Sequence, residues 1–426
     1  MAAFYGTIAE SMMKYKLVHI TSGGEYKTPL VASQLFDQAE CQASEGGEYA
    51  PMAVEAWILG AMREYWDASA RARVNMLRAR CPGISIHMFN GISRLGGLPL
   101  LPLMKLHRMG MGKRVPVIYH CRGEEAAFMA AKLREDFPGD KVVLDVRGHW
   151  PSEWLYARGI EYPERAEGTE RQEYDKLRER LRYAVGVADG VTTVSNALRA
   201  LLIKDAGATE DTIVVPCCVK QIPADSERDR IRKEWGVGVN ERVIVYSGTT
   251  AAYQHLDDLT IPFMKALAQN DAAVRLAFLS PDVEKINAML QRHGADMGRT
   301  IVKSLPQQEV AAALTACDIG VLIRKPTVVN SVANPVKIAE YLAAGLPLII
   351  EKGVGGVAQQ AFDAGIMFPV QTTVDATVIP AALPEWIRDT DNGRRQAVRK
   401  YVSDVYLWQS AIHVSRGLYR QISGNV

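Results

Sequence analysis

Short apolar, β-branched runs alternate with amphipathic stretches along nearly the whole chain. Runs at Lys16–Thr21, Ile84–Phe89, Val115–His120, Lys141–Val146, Val191–Ser195 and Thr212–Val215 have the continuous apolar character of strands buried on both faces. Between them, Pro29–Gln42, Ala53–Arg80, Glu124–Phe137, Thr169–Val187 and Ala197–Asp205 read as helices. A second series begins at Arg242–Ser247 and continues through Val274–Leu279, Thr300–Lys303, Ile319–Ile323, Leu346–Ile350 and Ile366–Pro369, again with helices between. This alternation predicts an α/β chain of two Rossmann-like, doubly wound domains. The polar, proline-containing stretch Lys220–Asp229 is the expected linker, which puts the domains at residues 1–220 and 230–404. Residues from about 405 to 426 are amphipathic and are expected to pack back on the first domain. Such sheets bind ligands outside the carboxyl ends of their strands, so two of them face to face define a cleft.

Composition removes several alternatives. The 426 residues carry a formal net charge of only +2, which gives no reason to expect a nucleic-acid partner. The first twenty residues lack a basic head and apolar core, so no secretory signal is expected. No apolar run reaches the roughly eighteen residues of a membrane span. The six cysteines, Cys41, Cys81, Cys121, Cys217, Cys218 and Cys317, form no CxxC pair, and the eight histidines form no HExxH. This pattern predicts a reducing cytoplasm and no metal site. Asp389-Thr390-Asp391 has the form of a metal-binding DxD string, but it falls in a polar loop between helices and is assigned no metal.

One stretch carries chemistry. In NSVANPVKIAEYLAAGLPLII, Asn330 to Ile350, Asn334 is a good N-cap and Pro335 suits the first helical position. Val336–Ala344 then reads as a helix, with Gly345 after it and Pro347 preventing its continuation. Lys337 therefore falls in the first turn, where the helix dipole disfavours a cation unless an anion is also present. Glu340 lies on the same face, three residues on, so a surface Lys–Glu pair is the simpler alternative.

That stretch resembles the donor-site signature of family 4 glycosyltransferases, which have the GT-B fold. Four further segments resemble the family in the same order along the chain: SGGEYKTPLVASQL from Ser22, VVLDVRGHWPSEW from Val142, VIVYSGTTAAYQHLDDL from Val243 and CDIGVLIRKPTVVNSVANPVK from Cys317. The second and fourth resemble a subgroup that makes capsular, exo- or lipopolysaccharide. The resemblance implies a retaining glycosyltransferase with no cofactor or essential metal and a UDP- or GDP-linked sugar as donor. It implies that Glu340 holds the donor ribose, and that Asn334, Pro335, Val336, Gly248, Thr249, Gly23 and Gly24 line the donor site. Arg147 and Asp145, with Arg324 and Lys337, are the expected catalytic set.

Two departures from the family pattern stand out. Val332 occupies the place of the family's first glutamate, which contacts the donor sugar. Thr249 and Gln254 stand near the family's two diphosphate-binding cations, which leaves that work to Arg324 and Lys337. His120, Arg122, His149 and Glu153 are acceptor candidates. The expected partners are a glycan or lipid-linked acceptor and, through Gly91–Arg114, an anionic membrane surface at the inner face. A loop and helix packed on the domain core is the alternative for that segment, and Pro99 and Pro102 argue against one long helix. A sugar-nucleotide epimerase and a non-catalytic nucleotide-sugar-binding scaffold remain as rival functions.

Overall fold

The computed structural model describes residues 15–22, 25–46, 50–61, 64, 66–91, 100–112 and 114–424. The first sheet contains β1 (Lys16–Thr21), β2 (Val54–Ala61), β3 (Ser85–Gly91), β4 (Val117–Arg122), β5 (Lys141–Val146), β6 (Gly190–Thr193) and β7 (Ile213–Val214). The second contains β8 (Arg242–Ser247), β9 (Val274–Leu279), β10 (Thr300–Lys303), β11 (Ile319–Leu322), β12 (Leu348–Glu351) and β13 (Met367–Val370). The strand orders are β3-β2-β1-β4-β5-β6-β7 and β10-β9-β8-β11-β12-β13. All pairings within both sheets are parallel. Each order reverses direction once, between β1 and β4 and between β8 and β11, and ligands enter open α/β sheets at such switch points. Buried apolar clusters cover both faces of each sheet, which is why the strands read as continuous apolar runs.

The helices used below are α1 (Asp37–Ser44), α2 (Leu100–Gly110), α3 (Glu124–Asp136), α4 (Trp150–Tyr156), α5 (Asn196–Ala206), α6 (Val328–Val332), α7 (Val336–Ala343), α8 (Asn392–Val405) and α9 (Trp408–Ile422). One expected helix is partly strand. The stretch Ala53–Arg80, expected as a single helix, begins with β2, and only Ala68–Arg80 is helical. VEAWILGA offers helix-forming residues, but it lies between β1 and β3 with most of its residues buried. Tertiary burial overrides propensity there.

The chain crosses between the domains twice, side by side. Val219 and Leu407 form a parallel bridge, with Val219 N–H donating to Tyr406 O at 2.9 Å and Trp408 N–H to Val219 O at 3.1 Å. After the return crossing, α9 lies against α1 of the first domain. Trp408 donates to Ser33 O at 2.9 Å, and the buried Arg416 is held by Gln42 and by the carbonyls of Glu45 and Gly46. Asp391 accepts from Arg394 N–H at 2.8 Å as the N-cap of α8, so one carboxylate of the DxD string closes a helix end.

Candidate active site

In the second domain the site is built at the β8/β11 switch point. Gly248 follows β8 with φ of 144°, and a Cβ there would sit 2.2 Å from Lys337 Nζ. Only glycine leaves room for the lysine to cross the strand end. Arg324 emerges two residues beyond β11 and is buried. The Gln254 side chain joins the two cations. Its Oε1 accepts from Arg324 Nε at 3.1 Å, Arg324 Nη2 at 2.8 Å and Lys337 Nζ at 3.0 Å. Tyr246 adds a hydroxyl 3.3 Å from Lys337 Nζ and a ring face 4.4 Å from it, and Tyr253 lies under the Arg324 guanidinium at 5.3 Å.

Among the described residues, no carboxylate is within salt-bridge distance of either cation. Burial, and secondarily the Arg324 charge, pushes the Lys337 ammonium well below its ordinary pKa, against the pull of Glu340. Burial likewise raises the Glu340 carboxyl, which Lys337 only partly offsets. The Glu340 carboxylate makes no hydrogen bond to a described residue, so its oxygens are free to accept from hydroxyls.

The helix that carries these residues begins differently from expectation. Pro335 occupies the cap position of α7 and gives no side-chain cap, while Asn334 is turned away. The buried Asn334 accepts from Cys217 N–H at 2.9 Å and donates to Gly355 O at 3.0 Å, which ties the crossing strand to the loop after β12. The first amides of α7 therefore have no side-chain acceptor, as anion sites at helix N-termini require. At the other end, Gly345 adopts φ of 78°, as its place after the helix predicted.

Val332, where the sequence resemblance leads one to expect a glutamate, is a domain contact. Val332 ends α6, which packs against α5 and α4 of the first domain, and its side chain is buried in that domain's apolar cluster. Ser195 Oγ donates to Val332 O at 2.6 Å. Lys325 pairs with Glu161, and the hydroxyl of Tyr156 lies 3.2 Å from His255 Nε2, so α6 and its flanks are pinned across the cleft at several points.

The first domain presents a different kind of surface. Parallel register places His19 beside His120 and Asp145 beside both Arg122 and Thr192. The two imidazoles are 4.9 Å apart, and His120 Nδ1 is 2.8 Å from the hydroxyl of Tyr419, so α9 seals them from above. Neither ring nitrogen of His19 has a hydrogen-bond partner, nor does Thr193 Oγ1, while His120 Nε2 lies 3.7 Å from Asp145 Oδ2. Burial, with His120 beside it, holds the His19 pKa well below normal against the attraction of Asp145.

Burial opposes ionisation of Asp145, but Arg147, His120 and Arg122 together outweigh it and hold the carboxyl well below the usual range. Thr192 donates to it at 2.9 Å. Arg147 lies 3.7 Å from Asp145 and spends its donors on Gln34 Oε1 (3.0 Å), Cys217 Sγ (3.3 Å) and Val215 O (3.5 Å). The Arg147 guanidinium thus braces the outgoing crossing, with only Nε unpartnered.

Arg122 ends β4 and donates to Glu25 at 2.8 Å, with Nη1 unpartnered. Glu153 lies over Gly148, and its carboxyl is raised by burial and by Glu124 and Glu25, against Arg122. His149 is buried, with Nδ1 2.7 Å from Ser152 Oγ and Nε2 unpartnered. Burial, aided by Arg178 and resisted by Asp205, lowers its pKa to about 4.

The structure therefore brings together Arg324, Lys337, Glu340, Gly248 and Thr249 on one side, and Asp145, Arg147, His120 and Arg122 on the other. Pro335 and Val336 open α7 beside the first group. Gly23 and Gly24 lie outside the described residues. Sequence reasoning saw Gln254 only as a missing cation. Its role as the acceptor joining two distant cations had no local signal, because Arg324 and Lys337 reach it from different strands and helices.

Paired Rossmann-like sheets with this strand order constitute the GT-B fold of glycosyltransferases. Solved structures with the same fold include Anabaena Alr3699/HepE in complex with UDP, at 15% identity and a TM-score of 0.63 over 96% of this chain and 100% of that one. Sucrose-phosphate synthase from Thermosynechococcus elongatus aligns with a TM-score of 0.65 at 15% identity, over 97% and 100%. A glycosyltransferase from Rickettsia africae gives 0.65 at 12%, over 97% and 100%. No family model and no curated protein sequence matches the chain.

Proposed function

We propose that this chain is a glycosyltransferase of the family 4 type. It would move a sugar from a nucleoside-diphosphate sugar to a glycan or lipid-linked acceptor, with retention at the anomeric carbon. The observation that carries this reading is the pair of cations, Arg324 and Lys337, held on one amide oxygen without a carboxylate partner. Enclosed cations without counter-charge are costly unless an anion completes the site. A diphosphate at the uncapped start of α7 supplies that charge, and Glu340 is placed to accept two ribose hydroxyl protons. The UDP bound in the HepE structure supports a nucleotide ligand for a chain of this fold.

In transfer, the anomeric carbon–oxygen bond to the diphosphate breaks as the acceptor oxygen forms its bond on the same face. A phosphate oxygen takes the acceptor proton, and Arg324, Lys337 and the α7 amides stabilise the charge that departs. Asp145 and Arg147 act from the opposite wall by fixing the crossing strand, and Arg122 and Glu153 are available to acceptor hydroxyls. Six unpaired, buried cysteines support a reducing, cytoplasmic setting.

No described helix is long and apolar enough to cross a membrane. Leu103, Leu106 and Met109 are exposed on α2 and support contact with a membrane surface. Arg108 takes no part in it, because it is buried against Asp140 at 2.7 Å, and residues 92–99 lie outside the described set.

Calorimetric titration with UDP, GDP, ADP and TDP tests the donor site. One nucleotide should bind the wild type and weaken at least tenfold in Glu340→Ala, the loss of about 1.4 kcal/mol expected for a charged hydrogen bond. Silence with all four would sink the reading. The apolar burial of Val332 favours one alternative, a nucleotide-sugar-binding scaffold without catalysis. Product analysis separates the cases: a transferase consumes donor only with acceptor, an epimerase converts donor alone, and a scaffold does neither.

A further inference from the structure

A second constellation lies away from the cleft, on the outer strands of the first sheet. Residues alternate between faces along a strand, so Glu55 and Trp57 of β2 share one face. Trp57 is directly opposite His87 in register, which brings His87 to the same face as a diagonal neighbour of Glu55. Helix α2 covers that face and supplies His107, whose ring packs edge-on against Trp57 at 5.3 Å and Phe89 at 5.7 Å. Three chain segments with no motif spacing thus deliver two imidazoles and one carboxylate to a single point.

The three side chains lie within reach of a single ion, and His107 is hydrogen-bonded to Glu55 without one. His107 Nε2 is 2.9 Å from Glu55 Oε2 and His87 Nε2 is 3.5 Å from the same oxygen. The two imidazole centroids are 4.3 Å apart, and one ligand atom from each residue lies within 4.8 Å of the others. Ligands on a tetrahedral zinc with bonds of about 2.0–2.1 Å are separated by about 3.3 Å, so small rotations close this triangle on an ion. Trp57 Nε1 donates to Glu55 Oε2 at 2.8 Å and fixes the carboxylate, as outer partners of metal ligands do.

The side chains of Glu55, His87 and His107 are 15%, 36% and 28% exposed, which leaves room for an ion to enter and for a water to complete its shell.

We propose that Glu55, His87 and His107 form a site for a divalent ion of the zinc class, which clips α2 to the outer strands β2 and β3. Two imidazoles and one carboxylate suit zinc better than magnesium or calcium, which take oxygen-rich shells. Glu55 is the second residue of β2 and His87 the third of β3, whereas the cleft is at the carboxyl ends of the strands, so the role is structural. This clip is independent of the donor site.

The test uses full-length protein stripped with chelator, dialysed and titrated with zinc chloride against a chromogenic competitor. One equivalent of zinc should bind. X-ray absorption of the loaded wild type should show two imidazole nitrogens in the first shell. Zinc should raise the melting temperature of the wild type and leave that of His107→Ala and Glu55→Gln unchanged. His87→Gln provides a further variant if either fails to fold, as judged by circular dichroism. Failure of the wild type to retain zinc, a shell without two imidazoles, or full retention by folded His107→Ala would each overturn the proposal.

Discussion

The two walls of the cleft solve different electrostatic problems. The second domain gathers two cations around a neutral amide and leaves their charge unbalanced. The first domain balances Asp145 with Arg147, Arg122 and His120, and surrounds that network with histidines kept neutral by burial. A wall of the first kind is complete only with an anion. A wall of the second kind is complete without one, and its unpartnered nitrogens and hydroxyls match neutral groups such as water or sugar hydroxyls. The contrast fits the proposed function, with a nucleotide expected at the wall of the first kind and acceptor hydroxyls at the wall of the second.

The largest expected effect breaks the cationic wall. Combining Arg324→Gln with Lys337→Met should weaken nucleoside-diphosphate binding about 1,000-fold, or about 4 kcal/mol, from the loss of charged hydrogen bonds. Calorimetry measures this. The same change should raise the melting temperature of the unliganded protein, because it removes enclosed, uncompensated charge. A fall in melting temperature would mean that the cations are already balanced.

Acid should act on the opposite wall. His149 has a folded pKa of about 4 against an ordinary 6.5, so above 6.5 it is neutral in both states. As pH falls from 6.5 towards 4, the unfolded chain takes up the proton first, and up to about 3 kcal/mol of stability is lost. Denaturant titration at both ends of that window should show this loss in the wild type and a smaller one in His149→Gln. An equal loss in the variant would assign acid sensitivity elsewhere, with buried His19 the next candidate.

Between the walls, Val332→Glu introduces the residue that the family resemblance leads one to expect, but puts a carboxylate into the apolar contact with the first domain. About 2 kcal/mol of stability should be lost, read from the denaturation midpoint. If stability holds and turnover rises, the valine is a catalytic loss rather than a domain contact. The smallest effect is expected at Tyr419→Phe, which removes one buried hydrogen bond to His120 and should cost about 1 kcal/mol without changing nucleotide affinity.

Much of the scaffold was legible from local pattern. Lys16–Thr21, Lys141–Val146, Arg242–Ser247, Val274–Leu279 and Thr300–Lys303 fall where their apolar runs placed them. The terminal segment lies against the first domain. The stretch VEAWILGA was read as helix because an apolar run with alanine, leucine and glutamate has no unambiguous period. Asn334 was read as a helix cap because that is its commonest local use, yet its amide serves Cys217 and Gly355, residues far away in the chain.

By itself the sequence determined the alternation of elements, the two parallel sheets and the presence of an unusual lysine at a helix start. These follow from nearest-neighbour chemistry: periodicity, turn residues and the helix dipole. Tertiary structure alone decided what the lysine faces, that Gln254 joins it to Arg324, that Val332 belongs to the opposite domain, and that Glu55 meets two histidines. Each depends on groups brought together from separate strands and helices, and local patterning carries no information about such encounters until register and crossing fix them.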